Sequence, residues 1–213
     1  MIEKYLKEFF VSEDKFVEEG GITAETLSIW QASRIFPMPS YVTETESVIN
    51  SFFGTHRYVE MVKWYPNQLD AWTRLIRSFD FSKGSVEVYF KKRYMNKIIE
   101  LKSIGIYDSI YDDCGSREVI LQEVWQHFLD GTYGVCTKNC TPEQIATKDV
   151  ATNVINKLTD RQKKITIAEK NKPKLAIALN LLDSVTSFFA PHERNQCSRT
   201  QCIDTVRKKY LHE

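Results

Sequence analysis

A chain of 213 residues with 42% apolar side chains has room for one large domain or two small ones and is too apolar to be disordered. A net charge of +1 lacks the strongly basic balance of many nucleic-acid binders; no run of eighteen apolar residues predicts a membrane span, and the acidic residues of MIEKYLKEFF interrupt the apolar core a signal peptide needs. Five cysteines, an odd number in a chain able to build a core, make a disulfide framework unnecessary, so a reducing, cytoplasmic setting with no membrane partner is expected.

Charge is spread unevenly. Residues 1–50 hold four basic against nine acidic side chains and residues 51–110 ten against six; residues 111–150 hold three against seven, and the remainder twelve against six. The N-terminal third predicts two short helices in a helix-turn-helix-like unit over residues 12–41, with Val17, Gly21, Leu27 and Trp30 at the required spacing. Gly21 supplies the positive φ of the turn, and Thr23 is placed to cap the second helix. A proline-rich exit at 36–40 leads to two β-like segments, 48–53 and 58–64, with a turn expected at Gly54-Thr55-His56-Arg57. A further helix is expected over 67–78.

Near residues 80–84 the apolar spacing becomes helical throughout, which divides the chain into 1–82 and 83–213. A helix over 85–103 stops at Gly105. Ile120, Leu121, Val124, Trp125, Phe128 and Leu129 form the stripe of a second helix, ending before Gly131. Thr141-Pro142-Glu143-Gln144 is a strong helix start for the stripe Ala146, Val150, Val154 and Leu158, and Thr159-Asp160-Arg161-Gln162 repeats the capping-box pattern. Helices over 174–189 and 199–210 complete the expected fold class: mainly α, an N-terminal helix-turn-helix with a small β-hairpin wing, then a helical bundle.

The stretch GITAETLSIWQASRIFPMPSY resembles the N-terminal unit of MerR-type regulators, in which the helix pair is followed by a hairpin wing. That resemblance implies DNA contacts from Thr26, Ser28, Gln31, Arg34, Arg57 and Lys63. It departs from the family where the family meets DNA, with Ser28 in place of an arginine and Glu25 on the exposed side, and an acidic face repels phosphate. FPMPSYV, DGTYGVCTKNCTPEQIATKD and LLDSVTSFFAPHERNQCSRTQCIDTVRKKY are together similar to an uncharacterised bacterial family of unknown function, some members of which carry the label natural-product biosynthesis protein.

The strongest polar cluster is His192, Glu193, Arg194 and Arg199, between two expected helices. It reads either as an anion or ligand site or as a structural bridge in which arginines tie down acids such as Asp183. Cys136 and Cys140, with Cys197 and Cys202, are too loosely spaced for zinc knuckles, so no metal is expected; no glycine-rich phosphate loop occurs, and no cofactor is implied. Phe90-Lys91-Lys92-Arg93-Tyr94 reads as a solvated helix face. Two functions follow. One is a non-enzymatic regulator-like or adaptor protein whose partner is DNA or another protein, with room for a small ligand in the helical part. The other is an enzyme or accessory factor of natural-product biosynthesis built around residues 192–199, which leaves catalysis open.

Overall fold

The computed structural model describes residues 2–81 and 85–211. It begins with α1 (Ile2–Phe9) and a three-residue strand, β1 (Phe10–Ser12), followed by α2 (Glu13–Gly20) and α3 (Ala24–Ala32). Gly21 ends α2 in the left-handed region, φ 59° and ψ 40°, and its N–H donates to the Glu18 carbonyl. Thr23 caps α3 as its position predicts, its hydroxyl accepting from the Thr26 N–H at 3.0 Å. The pair buries Phe16 and Leu27; the Phe16 ring stacks on Tyr65 at 4.9 Å, and Trp30 lies 5.7 Å from Phe36.

The hairpin is longer than expected and turns elsewhere. Strands β2 (Tyr41–Ser51) and β3 (Gly54–Pro66) pair antiparallel from Tyr41 opposite Trp64 to Ser51 opposite Gly54, so the turn is Phe52-Phe53. Gly54, φ 112°, completes the turn instead of opening it, as in hairpins where two ordinary residues precede a glycine that alone reaches positive φ. The polar run Thr43-Glu44-Thr45-Glu46-Ser47 lacks a buried face, which hides it from apolar periodicity, yet β-branched residues suit an exposed strand. β1 adds to the far side of β3 through Phe10–Ser12, giving a small sheet of order β1-β3-β2.

After a short 3-10 turn, α4 (Asp70–Ser78) runs nearly to residues 82–84, which lie outside the described part and take much of the expected boundary with them. α5 (Val86–Ser103) starts from a Ser85 cap and ends before Gly105 at φ 79°, and α6 (Cys114–Leu129) starts from an Asp113 cap and ends before Gly131 at φ 77°. A five-residue helix, α7 (Thr132–Cys136), was not foreshadowed by periodicity. α8 (Pro142–Thr159) begins where the Thr141-Pro142 signal puts it, with the Thr141 hydroxyl accepting from the Gln144 N–H.

The second capping pattern proves to be a helix stop. Thr159 donates back to the Ile155 carbonyl, and Asp160, Arg161 and Gln162 all take positive φ. α9 (Lys172–Val185) ends at Thr186, short of the expected Phe189, and residues 199–210 divide into a π-helical segment, Arg199–Asp204, and α10 (Thr205–Tyr210). The molecule is thus mainly α with a three-stranded antiparallel sheet.

One apolar core runs across the sequence boundary. Phe16, Leu27, Phe36, Tyr65 and Trp72 share it with Phe90, Phe128, Val150 and Leu179, and the Trp72 ring meets Phe128 at 4.9 Å and Phe90 at 6.1 Å. The proline-rich exit stitches the two parts: Met38 N–H donates to the Leu129 carbonyl and the Ser40 hydroxyl to the Gly131 carbonyl, both at the end of α6. Gly134 permits the closest approach, because a Cβ there would collide with Ser40 Oγ and the Pro66 ring.

Candidate functional site

The six residues expected to face DNA are scattered in their contacts. Gln31 turns inward, donating to the Pro37 carbonyl and the Tyr65 hydroxyl, each at 3.0 Å. Arg34, at φ 54°, reaches across to the Gln126 side chain. Arg57 pairs with Glu46 and Lys63 with Glu13, both at 3.1 Å. Thr26 shares a hydrogen bond with Thr23, which leaves Ser28 as the one exposed member with no bond to another side chain among the described residues.

The residues 192–199 bond mostly to the protein itself. Glu193 accepts from the Tyr41 hydroxyl at 2.7 Å and from the Ala190 N–H, joining the hairpin base to the C-terminal segment. Arg199 spends its guanidinium on Asp183 at 2.7 Å and the Thr186 carbonyl at 3.1 Å, and lies over the Phe188 ring. Arg194 donates to the Phe189 carbonyl, and His192 is exposed, 3.9 Å from Glu193.

The segment 131–149 gathers more chemistry than either set. On its inner side, the Tyr94 hydroxyl donates to Asp149 at 3.0 Å and lies 3.0 Å from the Tyr111 hydroxyl, and Tyr133 lies close by. Burial pushes the Asp149 carboxyl up to about 6, against the opposing pull of Lys148, the Tyr94 hydrogen bond and His127. The His127 ring stands edge-on to Tyr133 at 6.4 Å. Cys136 and Cys140 are raised above the ordinary thiol range by burial, which keeps them protonated and weakly nucleophilic at neutral pH. Among the described residues no three His, Cys, Asp or Glu side chains converge as a metal site.

On its outer side the same segment walls a cavity of about 240 Å³. Tyr5, Phe9 and Phe10 form one wall and Phe188 another, while Thr137, Lys138 and Asn139 come from the connection between α7 and α8. Sequence reading missed both features. The signal for Asp149 was present: it stands four residues after the buried Ile145 and one before the buried Val150, so a half-buried carboxylate sits at the edge of the buried face of α8. The cavity had none, since its walls come from 5–10, 66–68, 134–139 and 187–188, which only the fold brings together.

Residues 86–211 match a family described as a family of unknown function (DUF6058). That span covers α5 to α10, with Asp149, its tyrosines and the 134–139 wall, and leaves out the helix pair and the hairpin. No curated protein and no solved structure matches the chain.

Proposed function

We propose, from the premise that the chain belongs to the DUF6058 family of unknown function, that it is a non-enzymatic adaptor that docks through its β-ribbon. The observation that carries this reading is the ribbon itself. Beyond its base both faces of β2 and β3 are exposed, and the tip residues Phe52 and Phe53 are 97% and 95% exposed. A lone two-stranded hairpin is marginally stable in water, and a row of exposed apolar side chains on it marks a contact surface.

The face pattern favours a second copy of the chain as the partner. In the observed register Val42 opposes Lys63, Glu44 opposes Met61, Glu46 opposes Val59 and Val48 opposes Arg57, so these eight side chains share one face. On that face β2 carries Glu44 and Glu46 between Val42 and Val48, and β3 carries Val59 and Met61 between Arg57 and Lys63. A two-fold axis along the ribbon lays β2 of one copy over β3 of the other, which covers all four apolar side chains and sets Glu44 and Glu46 over Met61 and Val59, one step along the strand from Lys63 and Arg57 of the other copy. On this reading the helix-turn-helix-like pair, whose Gln31 donates to the Tyr65 hydroxyl at the base of β3, serves as the mount of the ribbon. DNA is the weaker partner: three glutamates offset Arg57 and Lys63 on the ribbon, and the N-terminal fifty residues are acidic.

Sedimentation of wild type, Val59→Asp and Thr45→Asp over a wide concentration range tests this. Self-association that Val59→Asp abolishes and Thr45→Asp, on the opposite face, leaves intact is the expected result. A monomer at every concentration, or equal loss in both variants, overturns the reading; a gel shift with duplex DNA that Ser28→Ala and Arg34→Ala weaken would replace it with the regulator.

A further inference from the structure

We infer that the cavity between α1 and the connection from α7 to α8 binds a small carboxylic acid with an aromatic body. This does not depend on the ribbon, because different residues carry it.

The apolar part of the ligand follows from the walls. Tyr5, Phe9, Phe10 and Phe188 present ring surface, with Phe9 and Phe188 6.0 Å apart at the rim, and such walls favour a flat apolar group. A cavity of about 240 Å³ exceeds the roughly 150 Å³ that can hold a benzene ring and falls below the range of drug-sized sites. The fit is one ring with a short side chain.

The charge of the ligand follows from Lys138. Among the described residues no carboxylate side chain lines the cavity, and Lys138 is its one charged residue. The ammonium makes a single long hydrogen bond, to the Asp183 backbone oxygen at 3.3 Å. The Asp183 carboxylate belongs to Arg199 at 2.7 Å and Arg207 at 3.4 Å, so Lys138 has no ion-pair partner among the described residues. Two of its three N–H groups remain for a ligand. The side-chain amides of Gln68 and Asn139, which also line the cavity, make no hydrogen bond among the described residues and can complete the carboxylate's shell. A cationic ligand would be attracted by the rings but repelled by Lys138; an anion with a ring satisfies both.

The wall carrying Lys138 is held in place. The Lys138 N–H donates to the Val185 carbonyl at 2.9 Å, the Thr137 hydroxyl accepts from the Cys140 N–H at 3.1 Å, and the Asn139 N–H donates to the Gln144 side chain at 2.8 Å. Binding therefore needs little rearrangement of this loop.

The test is calorimetry on the full chain with 3-phenylpropionate and with 3-phenylpropionamide, its neutral counterpart of the same shape. The acid should bind more tightly than the amide. Lys138→Met should weaken the acid by about tenfold or more, as loss of a charge-assisted hydrogen bond does, while changing the amide less than about twofold. Phe188→Ala, at an exposed position, should weaken both. Should Lys138→Met unfold the chain, Lys138→Gln keeps a polar side chain, one atom shorter, and removes the charge. Absence of binding by both probes at millimolar concentration, equal affinity for acid and amide, or an acid affinity indifferent to either Lys138 variant overturns the inference.

Discussion

Asp149 sets a residue-scale expectation that pH can read. Its carboxyl titrates near 6 in the folded chain against about 4 when exposed, mainly because burial disfavours the charge. Between those values the folded chain holds the proton more tightly than the unfolded one, so stability falls as pH rises from 4 to 6 and the loss is complete above 6. The difference is on the order of 2–3 kcal/mol. Asn in place of Asp keeps an oxygen for the Tyr94 hydroxyl and removes the charge. Asp149→Asn should therefore raise the melting temperature at pH 8, do little at pH 4, and flatten the profile between them. A profile with the wild-type slope would mean that the loss of stability between pH 4 and 6 arises elsewhere. The sequence reading passed over Asp149, whose spacing puts it at the edge of the buried face of α8, and nothing local could show its tyrosines, because Tyr94, Tyr111 and Tyr133 come from three separate segments.

Elements were legible where local chemistry fixes them. Thr23 and Thr141 cap helices through side chains singled out in the sequence, and Gly21, Gly105 and Gly131 take the positive φ that ends helices, whereas the caps at Ser85 and Asp113 were passed over. Thr159-Asp160-Arg161-Gln162 misled because the Thr159 hydroxyl does accept from the Gln162 N–H at 3.1 Å as an N-cap would, but it also donates back to Ile155 in α8, and the positive φ of Asp160, Arg161 and Gln162 keeps a new helix from starting there. The ribbon was misjudged for another reason. Its outer part buries no face, so pairing alone sets its length, and pairing is not a periodicity. Its independence from the core makes a prediction. Replacing residues 45–60 by Asn-Gly keeps Tyr41, Thr43, Val62 and Trp64, the half-buried base where the Trp64 indole donates to Thr43 at 2.9 Å. The shortened chain should melt within a few degrees of wild type and no longer self-associate. A large drop in melting temperature would show that the outer ribbon supports the body, and would move its exposed side chains from docking to stability.

At the scale of the whole molecule, composition divides the chain near residue 82, whereas packing does not follow that line. Trp72 from α4 sits against Phe90 and Phe128, and its indole N–H donates to the Ile35 carbonyl at 3.0 Å; Ser40 and Met38 bond to the end of α6. Removing either side would leave large apolar surfaces open to water, at a cost of about 25 cal/mol for each Å². The family match begins at residue 86, which places most of the shared core inside the matched span and a smaller part, from Val11 to Ile76, before it. Unfolding can separate the alternatives, because three of the four tryptophans, Trp30, Trp64 and Trp72, lie before residue 82, while most helix lies after it. Tryptophan fluorescence and far-ultraviolet circular dichroism should therefore trace coincident denaturant curves with one midpoint, as a single cooperative unit requires. Two separated midpoints, fluorescence moving first, would mean that the contacts of Trp72, Met38 and Ser40 are too weak to couple the halves, and that 1–82 and 83–213 are thermodynamic domains after all.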